Sequence, residues 1–106
     1  MKQNEKKKSS IKKYVPSRQT LSKLLVKLES CHNALEAHKN FNLAEVLIGE
    51  YYKEIPQEMI DEDIAKSVLD SLRGRDFKLL FAAVEAEIER LRTEKVKLMW
   101  QRITQS

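Results

Sequence analysis

Apolar residues recur along most of this chain at helical spacing. Between residues 18 and 39, Leu21, Leu24, Leu28, Cys31, Leu35 and His38 follow one another at intervals of 3, 4, 3, 4 and 3. That is the seam of a helix that buries one stripe. Leu25 and Val26 widen the stripe at one end, as in a helix packed inside a bundle. Ser17 suits the N-cap, with Thr20 as a second candidate. Residues 40–42 read as a turn, and Asn42 with Glu45 three residues on is close to a capping box. A second helix then runs from Leu43 to about Lys53, with Leu43, Val46, Leu47, Ile48, Tyr51 and Tyr52 as its apolar set. Gly49 inside it costs roughly 1 kcal/mol against Ala and marks either a close helix crossing or a break. Pro56 stops the segment.

A third helix starts around residues 61–63, where Asp61, Glu62 and Asp63 suit the positive end of the helix dipole. Ile64, Ala65, Val68, Leu69 and Leu72 form its apolar face, and Gly74 is placed to end it. The fourth helix is the longest. Asp76 caps it, and neither Gly nor Pro occurs after Gly74. Phe77, Phe81, Val84, Ile88, Leu91, Lys95 and Leu98 are spaced 4, 3, 4, 3, 4 and 3, with Lys95 as a polar interruption. Acids lead and bases trail, which complements the dipole. Glu87 with Arg90, and Glu89 with Arg92, form i,i+3 pairs.

From Asp76 to about Ile103 this helix is roughly 42 Å long, against roughly 16 Å for each middle helix. The middle helices cannot cover the whole seam. The remainder, about 91–103, needs the first helix in cis or a second copy of the chain in trans. A C2 homodimer is the usual form of the second solution, and the small core of a chain this size favours it. Phe81, Val84, Ile88, Leu91, Leu98 and Trp100 are the expected dimer or partner interface.

The chain has 106 residues, which fits one domain. With 42% hydrophobic residues it can build a core, and with 2 Gly and 2 Pro it lacks the turns of an all-β fold. A single Cys excludes an internal disulfide framework. No apolar run reaches the roughly 18 residues of a membrane span. The expected fold is all-α, a small bundle of three to four helices with a long C-terminal helix and coiled-coil-like packing. Residues 17–106 form the helical domain.

Charge divides the chain differently. Residues 1–19 carry seven bases against Glu5 alone, a net +6, while the other 87 residues carry 13 bases and 15 acids, a net −2. Residues 1–16 hold few sizeable apolar groups and read as a disordered basic tail. No apolar stretch follows the lysines as it would in a secretory signal, and Lys in place of Arg argues against a mitochondrial transit peptide. A reducing cytoplasm is the default location for a lone Cys without an export signal.

The remaining chemistry is sparse. Cys31, His32 and His38 are the only soft metal-ligand types, and Cys31 and His38 sit on an apolar seam, so no metal or cofactor is expected. The acids Glu50, Glu54, Glu58, Asp61, Glu62 and Asp63 lack the Gly and ligand spacing of an EF-hand. They read as a solvated face that can also dock a basic partner. No phosphate-binding Gly loop or nucleophile elbow is present. The turn at Gly74 suits a helix-turn-helix, but Phe77, Leu79, Leu80 and Phe81 follow at once and suit a core better than a DNA groove. Residues 95–103, with Trp100, form a basic amphipathic stretch suited to dimer packing, a partner's groove or a membrane surface.

The leading expectation is a non-enzymatic regulatory or accessory protein. It associates with nucleic acid through Lys6, Lys7, Lys8, Lys12, Lys13 and Arg18, which neutralise phosphates and release counterions. Tyr14 among them can stack on a base. Anionic membranes or an acidic protein surface fit the same tail. The helical body supplies dimerisation and protein contacts. The alternative is a helical adaptor or chaperone-like module whose long helices hold a partner helix in a groove rich in Leu and Tyr.

Overall fold

The structure is a computed structural model that describes residues 16–105. The expected disorder of the basic tail, and its lysines, lie outside the described residues. Four α-helices follow in order: α1 (Arg18–Glu36), α2 (Phe41–Glu54), α3 (Glu62–Gly74) and α4 (Phe77–Gln105). One 3₁₀ turn, Gln57–Met59, lies between α2 and α3, and there is no strand among the described residues. This is an all-α bundle with a long C-terminal helix. α1 packs on α2 and on α4, and α4 packs on α1 and on α3. The described chain spans 44 × 38 × 18 Å.

Each helix start has a side-chain cap. Thr20 N–H donates to Ser17 Oγ (3.0 Å), Ile64 N–H to Asp61 Oδ1 (3.0 Å) and Leu79 N–H to Asp76 Oδ1 (3.1 Å). α2 begins two residues earlier than its pattern suggests. Asn40 accepts from Leu43 N–H at 3.0 Å, so Asn40, not Asn42, satisfies the first turn.

Two helix ends differ from the sequence reading. α1 stops at Glu36, because Lys39 turns into the left-handed region (φ 50°). His38 therefore leaves the seam and is exposed. α3 keeps Gly74 as its last residue, and Arg75 takes the left-handed conformation (φ 50°). Asp76 N–H donates to Ser71 O (2.8 Å) and Arg75 N–H to Leu72 O (3.3 Å). That is a Schellman ending, with Arg75 in the position usually held by Gly. Gly49 is exposed mid-helix with nothing near a would-be Cβ. It marks neither a close crossing nor a break.

The core is drawn from all four helices, with Leu21, Leu28, Leu35, Ile48, Tyr51, Leu80, Val84 and Leu91 among its fully buried members. On α4 the buried stripe is Leu80, Val84, Glu87 and Leu91, with Ala83 and Ile88 beside it. Phe77 and Phe81, placed on the seam by spacing, are only half-buried. α1 and α3 both pack on α4, so its covered surface is wider than one seam. Between α1 and α2, the Cys31 thiol donates to Ala44 O at 3.4 Å. Burial pushes that thiol up to about 12.

Candidate functional site

α1 and α4 run antiparallel within one chain. Glu29 pairs with Arg92 (3.1 Å) and His32 with Glu85 (3.1 Å), so numbers fall along α4 as they rise along α1. Arg92 thus reaches across to α1 instead of back to Glu89. α1 is the cis partner for the C-terminal half of α4, and Leu98 packs on the common core.

This pairing decides where the expected interface residues lie. Val84 and Leu91 are fully buried and Ile88 is 7% exposed, all inside the chain's own core. Phe81 is half-buried, with its ring 4.7 Å from that of His32. Leu98 is half-buried and Trp100 is exposed. Contact with another molecule is therefore left to Phe81, Leu98 and Trp100 among the six. Of the tail set, Lys6, Lys7, Lys8, Lys12 and Lys13 lie outside the described residues. Arg18 is exposed in the first turn of α1.

A different surface is open. Between α1 and α4 runs a groove of about 410 Å³, floored by Leu25, Val26, Val96 and Met99 and bordered by Arg92 and Lys95. Val26 is 63% exposed, Val96 49% and Met99 47%. Trp100 and Ile103, both 61% exposed, follow on the same helix. A cluster of half-exposed large apolar side chains is a mark of an interaction surface. The groove shares Glu29 and Arg92 with a second hollow of about 380 Å³ lined by His32, Glu85, Ile88 and Glu89. The trough is thus apolar and basic toward the end of α4 and acidic toward its middle. Its sequence signal is a second stripe on α4: Glu85, Glu89, Arg92, Val96, Met99 and Ile103, spaced 4, 3, 4, 3 and 4. The stronger core stripe masks it. The tyrosines expected in such a groove are elsewhere, on α2.

Those tyrosines belong to a buried polar cluster that the sequence reading missed. The Glu87 side chain is fully buried. Tyr51 Oη donates to Glu87 Oε2, Arg90 Nη2 donates to the same oxygen at 2.7 Å, and Arg90 Nε donates to Oε1 at 2.9 Å. Burial, and then the Glu87 carboxylate, hold the Tyr51 hydroxyl well above its ordinary range. Tyr52, edge-on to Tyr51 at 4.9 Å, is raised by the same two causes. The Tyr52 hydroxyl is buried and has no hydrogen-bond partner among the described residues. The cluster ties α2 to α4 and is closed to a substrate, since both Tyr51 and Glu87 are fully buried.

The soft ligand types diverge. Cys31 is buried against α2, His32 lies between Glu36 (3.7 Å) and Glu85, and His38 is exposed. No group of three or more His, Cys, Asp or Glu among the described residues is arranged to hold a metal ion. In the acidic stretch, Glu50 and Glu54 flank Lys27 at 3.1 and 3.7 Å, and Asp61 is the cap of α3. No helix of the described residues is long and apolar enough to cross a membrane. No protein-family model, curated protein or solved structure matches the chain.

Proposed function

We propose that the protein acts by binding, not by catalysis, and that it associates with nucleic acid through residues 2–18. The supporting observation is the division of charge. The first 19 residues carry a net +6 and the rest a net −2. Among the described residues, Lys27, Lys66, Arg75, Arg90, Arg92 and Lys97 are tied to acids of the chain. A polyanion therefore meets a net acidic body, part of whose basic charge is already paired, and a concentrated basic arm. Lysines on such an arm give affinity without reading sequence, and that affinity falls with salt.

The test is fluorescence anisotropy with labelled duplex DNA, duplex RNA and single strands over a salt series. Replacing Lys6, Lys7, Lys8, Lys12 and Lys13 by Ala should remove most of the affinity. The slope of log affinity against log salt should become shallower by about 3 to 5, as expected when up to five phosphate contacts are lost. An unchanged slope sinks the reading, as does an absence of binding at low salt.

A further inference from the structure

The groove between α1 and α4 goes beyond the tail reading. Its floor is apolar, with Leu25 and Val26 from one helix and Val96 and Met99 from the other. Its sides are basic. Arg18, Ser22, Leu25 and Glu29 follow at intervals of 4, 3 and 4 and share one face of α1. Arg18 therefore lies on the groove face of α1, one turn beyond Ser22, at the end of the groove away from Arg92. Neither Arg18 nor Lys95 forms an ion pair with another described residue. Among the described residues Glu29 is the only acid bordering this apolar half, and it is held by Arg92. Two bases, Arg92 and Lys95, against one acid in the lining, with Arg18 beyond its open end, set the chemistry of the occupant.

A second copy of the chain is a poor occupant. Apolar floor laid on apolar floor would bring the bases Arg18, Arg92 and Lys95 of both copies together. A registry that set the bases over Glu85 and Glu89 would place Val96 and Met99 over the charged hollow. The complementary occupant is an amphipathic helix. Its apolar residues recur at i, i+3, i+4 and i+7, and acids flank them. We infer that the α1/α4 groove is a docking site for an acid-flanked amphipathic helix of a partner protein.

The probe is a synthetic helix of about 18 residues, long enough to hold helical structure. It carries Leu on one face and Glu along both flanks, and it contains no Trp. Its controls are a peptide of the same composition in scrambled order and a helix with Lys in place of Glu. Full-length protein is titrated, and binding is read by peptide anisotropy and by emission of Trp100, the chain's single Trp. The acid-flanked helix should bind in preference to both controls. Val96→Asp and Met99→Asp should each weaken it by about tenfold or more, as for a central interface residue. Both positions are half-exposed, so helicity by circular dichroism should stay at the wild-type level. Lys95→Glu, which leaves two bases against two acids, should erase the preference for the acid-flanked over the Lys-flanked helix while the Val96-dependent binding remains, a change that loss of folding cannot produce.

Equal binding of the scrambled peptide overturns the proposal, as does failure of every peptide to bind. So does a full-chain dimer in sedimentation that Val96→Asp converts to monomer, since a second copy then fills the groove. Binding to anionic vesicles through Val96 and Met99, with no binding of the acid-flanked helix, also overturns it. The variant with its five tail lysines replaced should lose nucleic acid yet keep the Val96-dependent component of peptide binding. The two readings therefore fail separately.

Discussion

Glu87 is the residue that departs furthest from a surface reading. Its position, 3 after Val84 and 4 before Leu91, puts it on the buried stripe. A charge there needs partners, because an unpaired buried carboxylate costs several kcal/mol. Arg90 at i+3 is legible in the sequence. Tyr51, 36 residues away, is not. Replacing Glu87 by Ala should destabilise the fold by about 3 kcal/mol or more, since it leaves Arg90 and the Tyr51 hydroxyl without their acceptor. The adjacent tyrosines should part company in urea denaturation. Tyr51→Phe removes a charge-assisted hydrogen bond and should cost about 1.5–3 kcal/mol. Tyr52→Phe removes a buried hydroxyl with no partner among the described residues, and should be neutral or stabilising by up to about 1 kcal/mol. Equal losses at the two positions would contradict this account of the cluster.

Elements were the most legible level. Stripe periodicity placed all four helices, and Ser17, Asp61 and Asp76 stand at their starts as local chemistry requires. The ends were less legible. Lys39 and Arg75 adopt left-handed geometry, and neither residue type signals it. The neighbouring elements compensate at Arg75, whose side chain bonds Asn42 (2.7 Å) and lies over the Phe41 ring at 4.5 Å. At Lys39 no such compensation is present among the described residues. Lys39→Gly should therefore raise unfolding free energy by about 0.5–1 kcal/mol, relief of the left-handed strain being partly offset by a more flexible unfolded chain. Gly49→Ala should also stabilise, by about 1 kcal/mol, since the site is helical, exposed and open to a Cβ. Urea midpoints with unchanged slopes would check both. A loss of stability in Gly49→Ala would mean that α2 meets something at this face.

At the scale of the whole molecule, packing sets both the surface and the pH response. Cys31 joins α1 to α2, and Tyr51 and Tyr52 lie where α2 meets α4. All three hold their protons above the ordinary values of 9.0 for the thiol and 10.0 for the hydroxyls. The unfolded chain releases these protons first. The folded state then binds more protons, so stability should fall as pH rises above about 9. The decline should begin with Cys31, continue through the tyrosines, and lose its first part in Cys31→Ala. Urea midpoints between about pH 8 and about pH 11 measure it, and a flat profile would contradict burial of these groups.

The long seam of α4 carries the same division between sequence and packing. Sequence alone established four amphipathic helices, the caps of three of them and the excess of positive charge before residue 20. These are properties of neighbours in the chain, where spacing of 3 and 4 residues and side-chain type act directly. Which stripe of α4 is core and which is groove depended on where α1 lies, as did the cis pairing that buries Val84 and Leu91. The hydroxyl that completes the Glu87 cluster, Tyr51, likewise came from α2. Those outcomes belong to contacts between residues tens of positions apart. A helix pattern records that an apolar face must be covered, but not by which element, because any complementary apolar face offers nearly the same burial. Only the folded chain selects among them.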